Sequence, residues 1–242
     1  MTNDKEPLLE NADLRWEDKV PVSKRFDDVY FSKEDGLEES RYVFIGGNKL
    51  PERWSQETEK PLKVAELGFG TGLNFLATRV SRLQDNSQRP LIFYSMEKYP
   101  LSLKDLHYAL TFWPELEKLS RELLNSWQGL KKGLNNFEFE GGRVILNLFA
   151  GDVLHNLPLV EDGIDAWFLD GFNPAKNPEM WNAFVYETMA HKSAPQATFA
   201  TYTAASHVRR GLEDAGFKVE KIPGFGSKRE MMTGQFVGRT NG

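Results

Sequence analysis

The sequence predicts an α/β protein with a mostly parallel sheet, on three observations. From Leu62 onward, short apolar runs alternate with segments of helical periodicity. Three glycines at alternate positions, Gly68, Gly70 and Gly72, lie between the first apolar run and the first helical segment. The chain has 242 residues, 40% of them hydrophobic, which is enough for one large core. Alternation of strands and helices favours a parallel sheet with helices on both faces.

The individual elements follow from periodicity and from punctuation by glycine and proline. Leu73, Leu76, Ala77, Val80 and Leu83 share one helical face, and Pro114 suits the first turn of a helix. The predicted elements, in chain order, are a strand over 64–67, a helix from Leu73, a strand over 91–97, helices over 101–110 and 114–127, a hairpin over 136–149, a strand over 165–170, a helical segment over 180–190, a strand over 197–203, a helix capped by Ser206 and running to Gly216, and a final strand pair over 217–222 and 230–238. We expect the last strand to be antiparallel.

The first sixty residues do not share this alternation. They contain the segments RFDDVYFS and GLEESRYVFIGGN and two prolines, Pro21 and Pro51. We therefore predict an N-terminal accessory layer over residues 1–60, packed on an α/β core over residues 61–242.

Composition excludes several classes of function. The chain has no cysteine, and its four histidines show no metal-ligand spacing, so we expect no metal site. No apolar run approaches membrane-spanning length, and the first residues lack the basic and apolar regions of a signal peptide, so we expect a cytoplasmic protein without membrane contact. A net charge of −5 argues against diffuse attraction to nucleic acid but allows a local basic patch.

The glycine turn predicts a ligand site. It has the spacing Glu66-x-Gly68-x-Gly70-x-Gly72, at the first strand-to-helix turn, where open parallel sheets bind ligands. A dinucleotide fingerprint requires glycine at 73, which is Leu73, and the lysine of a phosphate-binding loop is absent. The pattern resembles the first motif of class I S-adenosylmethionine-dependent methyltransferases, which have a Rossmann-like fold. The alternative is a tight turn without a ligand.

Two further acids follow later strands. Glu97 ends the strand over 91–97, where a carboxylate can accept hydrogen bonds from both hydroxyls of a ribose. Asp152 follows the hairpin, where it can accept from an adenine amino group. The alternatives are a solvated strand end for Glu97 and a helix cap for Asp152.

Asp170 opens the segment DGFNPAKNPEMW after the buried run AWFL. At this strand end a carboxylate can accept a hydrogen bond from an amine and direct the amine lone pair. Phe172 and Trp181 either stack on a base or pack in the core. The alternative for Asp170 is a turn or a helix cap.

Several long segments together resemble one family. They are RFDDVYFSKEDGLEESRYVFIGGN, AELGFGTGLNFL, DAWFLDGFNPAKNPEMW, and VRRGLEDAGF followed by GFGSKREMMTG. They are similar to the methyltransferase domain of the MnmC family, the bifunctional tRNA 5-methylaminomethyl-2-thiouridine biosynthesis enzymes. The resemblance implies methyl transfer from S-adenosylmethionine to the aminomethyl nitrogen of the tRNA wobble uridine. For this transfer we expect direct in-line displacement, with no covalent enzyme intermediate.

The same resemblance implies roles for matching residues. Asp170 corresponds to the acid at the methyl-transfer site, which also borders the cofactor. The cofactor residues implied are Glu66, Gly68, Phe69, Gly70, Gly72, Asn74, Glu97 and Lys98, to which we add Asp152. For the tRNA anticodon stem-loop we predict contacts from Phe26, Tyr30, Phe172, Lys176, Trp181, Lys228 and Arg229. An aromatic slot suits a flipped wobble base, and the lysines and arginine suit phosphates.

The resemblance also bears on FAD. Many family members continue into a C-terminal FAD-dependent domain that forms the aminomethyl substrate. No second dinucleotide fingerprint occurs in these 242 residues. We therefore expect this chain to need S-adenosylmethionine alone, with FAD only if such an oxidoreductase domain belongs to the full-length protein or to a separate partner.

Three other functions remain open from the residues alone. An NAD(P)-dependent oxidoreductase shares the fold class and a glycine turn. A non-catalytic RNA-binding module retains the same sheet. A methyltransferase acting on another amine has the same cofactor site, because fold alone does not set the substrate.

Overall fold

The computed structural model describes residues 9–56 and 58–238. Its strands are β1 (Leu14–Glu17), β2 (Val20–Ser23), β3 (Asp28–Val29), β4 (Leu62–Leu67), β5 (Leu91–Glu97), β6 (Gly133–Phe139), β7 (Val144–Ala150), β8 (Ile164–Leu169), β9 (Ser193–Thr201), β10 (Phe217–Pro223) and β11 (Glu230–Phe236). Its α-helices are α1 (Gly36–Ser40), α2 (Leu50–Trp54), α3 (Leu73–Gln84), α4 (Leu103–Leu110), α5 (Glu117–Trp127), α6 (Val153–Asn156), α7 (Ala183–Lys192) and α8 (Ser206–Asp214). A π-helix, Arg41–Gly46, continues α1.

The main sheet has eight strands in the order β10-β11-β9-β8-β4-β5-β7-β6. Strands β9, β8, β4, β5 and β7 are mutually parallel, whereas β6 and the last strand, β11, run antiparallel to their neighbours. This confirms the predicted Rossmann-like class, a mostly parallel sheet with an antiparallel last strand. Chain order proceeds from β4 to β5 on one side and reaches β8 on the other, so β4 lies at the switch point where such sheets bind ligands.

Most predicted bounds differ from the structure by one to three residues, and two local predictions differ for a specific reason. Strand β9 begins at Ser193 and not at Ala197. Its first four residues, SAPQ, lack the apolar pattern of a buried strand, but Ser193 pairs with Ile164 of β8, and a register irregularity follows this pair. Helix α8 begins at Ser206, so its N-cap residue is Ala205 and not Ser206.

The N-terminal elements pack on the main sheet. Strands β1, β2 and β3 form a small antiparallel sheet, and α1, the π-helix and α2 follow it. Val43 and Phe44 of the π-helix belong to the same buried cluster as Val64 of β4 and Phe168 of β8. The two predicted parts share this core, and the predicted boundary between them at residue 60 stays a prediction. Residues 1–8, 57 and 239–242 of the predicted parts lie outside the described residues.

Within residues 9–56 and 58–238, no helix combines the length and the apolar character needed to cross a lipid bilayer.

Candidate active site

A cavity of about 460 Å³ lies at the carboxyl ends of β4, β5, β7 and β8. The N-terminal layer covers it from one side, through residues of the segment 26–44. The predicted site residues that line this cavity are Gly68, Phe69, Gly70, Asn74, Glu97, Lys98, Asp152, Asp170, Phe26, Tyr30, Phe172 and Lys228. Residues from six separate stretches of the chain therefore meet in one place.

The glycine turn places the backbone of residues 68–70 against two neighbouring strand ends. Gly68 has φ +93°, and a β-carbon there would lie 2.3 Å from the Asp170 carbonyl oxygen. The N–H groups of Gly68 and Phe69 both donate to the Met96 carbonyl oxygen at 3.1 Å. Only glycine combines this φ with this close approach, so residue 68 fixes the spacing between the turn and Asp170.

Glu97 is tied to the same turn. Its Oε2 accepts from the Gly70 N–H at 2.8 Å, and its Oε1 accepts from the Tyr99 N–H at 2.9 Å. Burial raises the pKa of Glu97 to about 7, against the opposing effect of these backbone hydrogen bonds. The backbone N–H groups of Lys98 and Phe69 also lower the pKa of Glu97, which lines the cavity.

Lys98 and Asp152 form an ion pair at the cavity edge. Lys98 Nζ lies 2.7 Å from Asp152 Oδ2 and 3.5 Å from a carboxylate oxygen of Glu179. Asp152 Oδ1 accepts from the Leu154 N–H at 2.9 Å, so Asp152 caps α6, as the alternative prediction required. Burial opposes ionisation of Asp152, but the hydrogen bonds from Lys98 and Leu154 outweigh it and lower its pKa.

Asp170 belongs to a buried hydrogen-bond network. Asn74 Nδ2 donates to Asp170 Oδ2 at 2.6 Å and to Glu66 Oε1 at 2.9 Å. Glu66 Oε2 accepts from the Ser95 hydroxyl at 2.6 Å. Burial, followed by the charge of Glu39, raises the pKa of Asp170 to about 7, and burial raises that of Glu66 well above its ordinary value. The amide of Asn74 thus holds one oxygen of Asp170, and Asp170 lines the cavity.

Aromatic side chains form one wall beside Asp170. The rings of Phe26 and Phe172 stack with centroids 4.8 Å apart, and Tyr30 meets Phe172 edge-on at 5.0 Å. The loop that carries Phe172 is held on the N-terminal layer, because the Asn173 N–H donates to Asp28 Oδ2 at 2.8 Å. The wall is therefore built jointly by the N-terminal layer and the loop after β8.

A second cluster on the cavity wall consists of Glu39, Tyr202 and Lys228, of which the sequence predicted Lys228 alone. Lys228 Nζ lies 2.6 Å from Glu39 Oε1 and 4.4 Å from the centroid of the Tyr202 ring. The Tyr202 hydroxyl donates to the Gly171 carbonyl oxygen at 2.7 Å. Glu39 and Tyr202 were missed because no motif or spacing links them, since 163 residues separate them in the sequence.

Five predicted residues do not line the cavity. Glu66 is fully buried with both oxygens bonded inside the protein, and Gly72, at φ +72°, is the N-cap residue of α3. Trp181 is buried in the core and its Nε1–H donates to the Phe172 carbonyl oxygen, which corrects its predicted base contact in favour of core packing. Lys176 donates to the Asp27 carbonyl oxygen, and Arg229 is exposed. A phosphate contact from either cation stays a prediction.

Within residues 9–56 and 58–238, no three His, Asp or Glu side chains lie close enough to hold a metal ion.

Comparison with known proteins identifies related sequences. Residues 114–236 match a family model described as S-adenosyl-L-methionine-dependent methyltransferase. The chain is 50% identical over 225 residues to the tRNA 5-methylaminomethyl-2-thiouridine biosynthesis bifunctional protein MnmC of Leptospira borgpetersenii, covering 92% of this chain and 34% of that protein. It is 51% identical over 227 residues to the protein of the same name from Nitrosospira multiformis, covering 93% and 37%. The chain thus spans about a third of the length of these curated relatives.

Solved structures share the fold. The crystal structure of MNMC2 from Aquifex aeolicus superposes with a TM-score of 0.76 at 22% identity, covering 99% of this chain and 75% of that one. A spermidine synthase from Thermotoga maritima gives a TM-score of 0.51 at 12% identity, covering 93% and 72%. At these identities the superpositions establish the fold alone.

Proposed function

The chain belongs to the S-adenosyl-L-methionine-dependent methyltransferases, and we propose that it methylates the aminomethyl nitrogen of 5-aminomethyl-2-thiouridine at the tRNA wobble position. Membership of this family argues against the alternative of an NAD(P)-dependent oxidoreductase, which the glycine turn alone did not exclude. The relatives at 50% and 51% identity are biosynthesis proteins for 5-methylaminomethyl-2-thiouridine in tRNA, and this chain spans about a third of their length.

The residues at the glycine turn suit S-adenosylmethionine. Gly70, at φ +53°, and Glu97 both line the cavity, where the Glu97 carboxylate can accept hydrogen bonds from the two hydroxyls of a ribose. Lys98 and Asp152 border the same region. When bound, S-adenosylmethionine supplies an electrophilic methyl group on a sulfonium. We assign to its site the residues Gly68, Phe69, Gly70, Asn74, Glu97, Lys98 and Asp152. Glu66 and Gly72 act indirectly, because Glu66 accepts from Asn74 and Gly72 is the N-cap residue of α3.

The observation that carries the acceptor chemistry is the half-buried carboxyl group of Asp170. It lies on the cavity wall, and Asn74 fixes one of its oxygens. A primary alkylamine has a reference pKa of about 10.4, so it enters largely protonated and must lose a proton before it can act as a nucleophile. With a pKa of about 7, the Asp170 carboxylate can accept hydrogen bonds from the amine and orient its lone pair.

The aromatic wall suits a flipped uridine. Phe26, Tyr30 and Phe172 present ring faces and edges beside Asp170, and unstacked RNA bases bind to aromatic rings. We propose that Lys176, Lys228 and Arg229 reach phosphates of the anticodon stem-loop. An FAD-dependent activity outside these 242 residues would supply the aminomethyl acceptor, and a tRNA substrate implies work in the cytoplasm.

One assay tests this function directly. We expect wild-type protein to transfer a radiolabelled methyl group to tRNA bearing 5-aminomethyl-2-thiouridine, and not to the same tRNA lacking the aminomethyl group. Asp170→Asn keeps the side-chain size but not the charge, and should slow single-turnover transfer by about 100-fold or more with S-adenosylmethionine affinity little changed. Absence of transfer by wild type refutes the substrate, and a near wild-type rate for the variant refutes the role of Asp170.

A further inference from the structure

Glu39 and Tyr202 together form a binding site for an alkylammonium group, which in this structure is the side-chain ammonium of Lys228. The Lys228 ammonium contacts a Glu39 oxygen at 2.6 Å and lies over the Tyr202 ring at 4.4 Å from its centroid. A carboxylate together with an aromatic face is the combination that proteins use to recognise ammonium groups. All three side chains line the cavity that Asp170 also lines.

This ammonium site adjoins Asp170. The Tyr202 hydroxyl donates to the carbonyl oxygen of Gly171, the residue after Asp170, which fixes the ring beside the proposed methyl-transfer position. The charges of Glu39 and Lys228 both act on the pKa of Asp170, in opposite directions, as expected for neighbouring groups. An amine bound at the ammonium site therefore lies next to the group proposed to orient it.

The Glu39 carboxylate is largely buried, whereas the Lys228 side chain is partly exposed. The Glu39 side chain is 14% exposed, and its Oε2 accepts from the Ser32 N–H at 3.2 Å. Lys228 lies on the turn between β10 and β11, and its side chain is 43% exposed. Displacement of the Lys228 ammonium by another ammonium costs little electrostatically, because the charge on Glu39 stays neutralised.

We propose that the primary ammonium group of the acceptor binds between Glu39 and the Tyr202 ring by displacing Lys228, which occupies this site in its absence. Glu39 and Tyr202 thereby select a cationic acceptor. This inference rests on the proposed function in one respect, namely that the acceptor is an alkylamine. It assigns Glu39 a role in specificity that neither the glycine turn nor the DGFNPAKNPEMW segment indicates.

The test compares two anticodon stem-loop RNAs that differ only in a 5-aminomethyl or a 5-methyl group on the wobble uridine. Their dissociation constants are measured by fluorescence anisotropy with S-adenosylhomocysteine present, so that no turnover occurs. The ratio of the two constants isolates the amine, because phosphate contacts are common to both RNAs. We expect Glu39→Gln to reduce the preference for the aminomethyl RNA by about tenfold or more. Lys228→Met should increase that preference, because the competing ammonium is gone and the aliphatic stem remains.

Lys33→Met is the matched control. Lys33 also lines the cavity, but its Nζ binds Glu17, so the variant removes one positive charge without touching the ammonium site. It should change both dissociation constants together and leave their ratio unchanged. Melting curves for all three variants verify folding.

The outcomes separate the inference from the proposed function. If Glu39→Gln and Lys228→Met lower the preference equally, the pair is a structural clamp and the inference is overturned. A wild-type ratio near one overturns it as well. Methyl transfer by wild type is measured in parallel: its absence counts against the proposed function, whereas transfer with a ratio insensitive to Glu39→Gln counts against this inference alone.

Discussion

Three carboxyl groups at or behind the cavity, Glu66, Glu97 and Asp170, are desolvated and hydrogen-bonded to neutral donors. Their partners are the Asn74 amide, the Ser95 hydroxyl and backbone N–H groups. Burial without a bonded cation raises a carboxyl pKa, and the pKa of each of these three is raised. A site with this charge arrangement stabilises ligands that bring hydroxyl donors or a positive charge.

Glu97 gives the first residue-scale prediction. Glu97→Ala removes the acceptor proposed for the ribose and leaves the Gly70 and Tyr99 N–H groups unpaired. S-adenosylmethionine affinity should fall by about 1.5–3 kcal/mol, measured by isothermal titration calorimetry. Glu97→Gln keeps one acceptor oxygen and should lose less. An unchanged dissociation constant in the alanine variant would reject the ribose role.

Asp170 gives a prediction about stability and pH. Its pKa is about 7 in the folded protein against an ordinary value of 3.8, so between these values the folded state holds a proton that the unfolded chain has lost. Asp170 therefore contributes less stability as the pH rises from about 4 to 7. In Asp170→Asn this dependence is absent. Between pH 5 and pH 8 the free energy of unfolding of the variant should therefore rise, relative to that of wild type, by on the order of 1–3 kcal/mol.

Urea unfolding of both proteins at several pH values measures this difference. Glu97 titrates in both proteins and largely cancels in the comparison. The charge of Asp170 raises the pKa of Glu66, so the difference includes the response of Glu66 to the substitution. A difference between variant and wild type that does not change with pH would show that Asp170 has an ordinary pKa.

At the scale of the element, the glycine turn connects three strand ends. Gly68 lies against the Asp170 carbonyl oxygen, its N–H and that of Phe69 donate to Met96, and the Gly70 N–H donates to Glu97. The turn therefore sets the distance between the proposed ribose acceptor and the proposed amine-orienting group. A change of backbone here should affect cofactor binding and catalysis together.

Gly68→Ala tests that coupling. Its φ of +93° and a β-carbon 2.3 Å from the Asp170 carbonyl oxygen require the turn or the β8 end to move. We expect a loss of stability of roughly 2–4 kcal/mol together with a large loss of methyl transfer.

Gly163→Ala is its control. Gly163 has φ +83° with no atom within 4 Å of an added β-carbon, so it should show the backbone strain alone, about 1–2 kcal/mol, with activity retained. Equal losses of stability and activity in the two variants would show that the contact with Asp170 is unimportant.

At the scale of the whole molecule, the N-terminal layer and the main sheet share one core and one cavity. Asn48, fully buried after the π-helix, donates to the carbonyl oxygens of Phe44 and Trp167 and accepts from the Thr198 hydroxyl. This side chain joins the layer to β8 and β9. The position of Phe26, Tyr30 and Glu39 over the cavity depends on such attachments.

Asn48→Ala should therefore destabilise the whole fold. It leaves the Thr198 hydroxyl and the Trp167 carbonyl oxygen without this partner, for an expected loss of about 2–4 kcal/mol in chemical unfolding. Asn136→Ala is the comparison, because Asn136 is exposed and its side chain donates to Asn147 Oδ1, so its loss should stay within about 0.5 kcal/mol. A small effect at Asn48 would show that apolar packing alone holds the layer.

The sequence by itself determined the sheet, the glycine turn and the strand-end acids. Alternating apolar and amphipathic segments specify strands and helices locally, and the carboxyl ends of parallel strands necessarily meet at one edge. Glu97 and Asp170 could therefore be predicted to face one cavity. Motif resemblance added Asn74, whose amide does contact Asp170.

Only the tertiary structure decided which side chains complete the cavity. Glu39 comes from α1 and Tyr202 from the segment after β9, and no periodicity relates either of them to the predicted Lys228 on the turn between β10 and β11. The same applies to Trp181, whose burial depends on how the loop after β8 packs against the helices behind it. Contacts between distant segments depend on the packing of whole elements, and a local pattern carries no information about that packing.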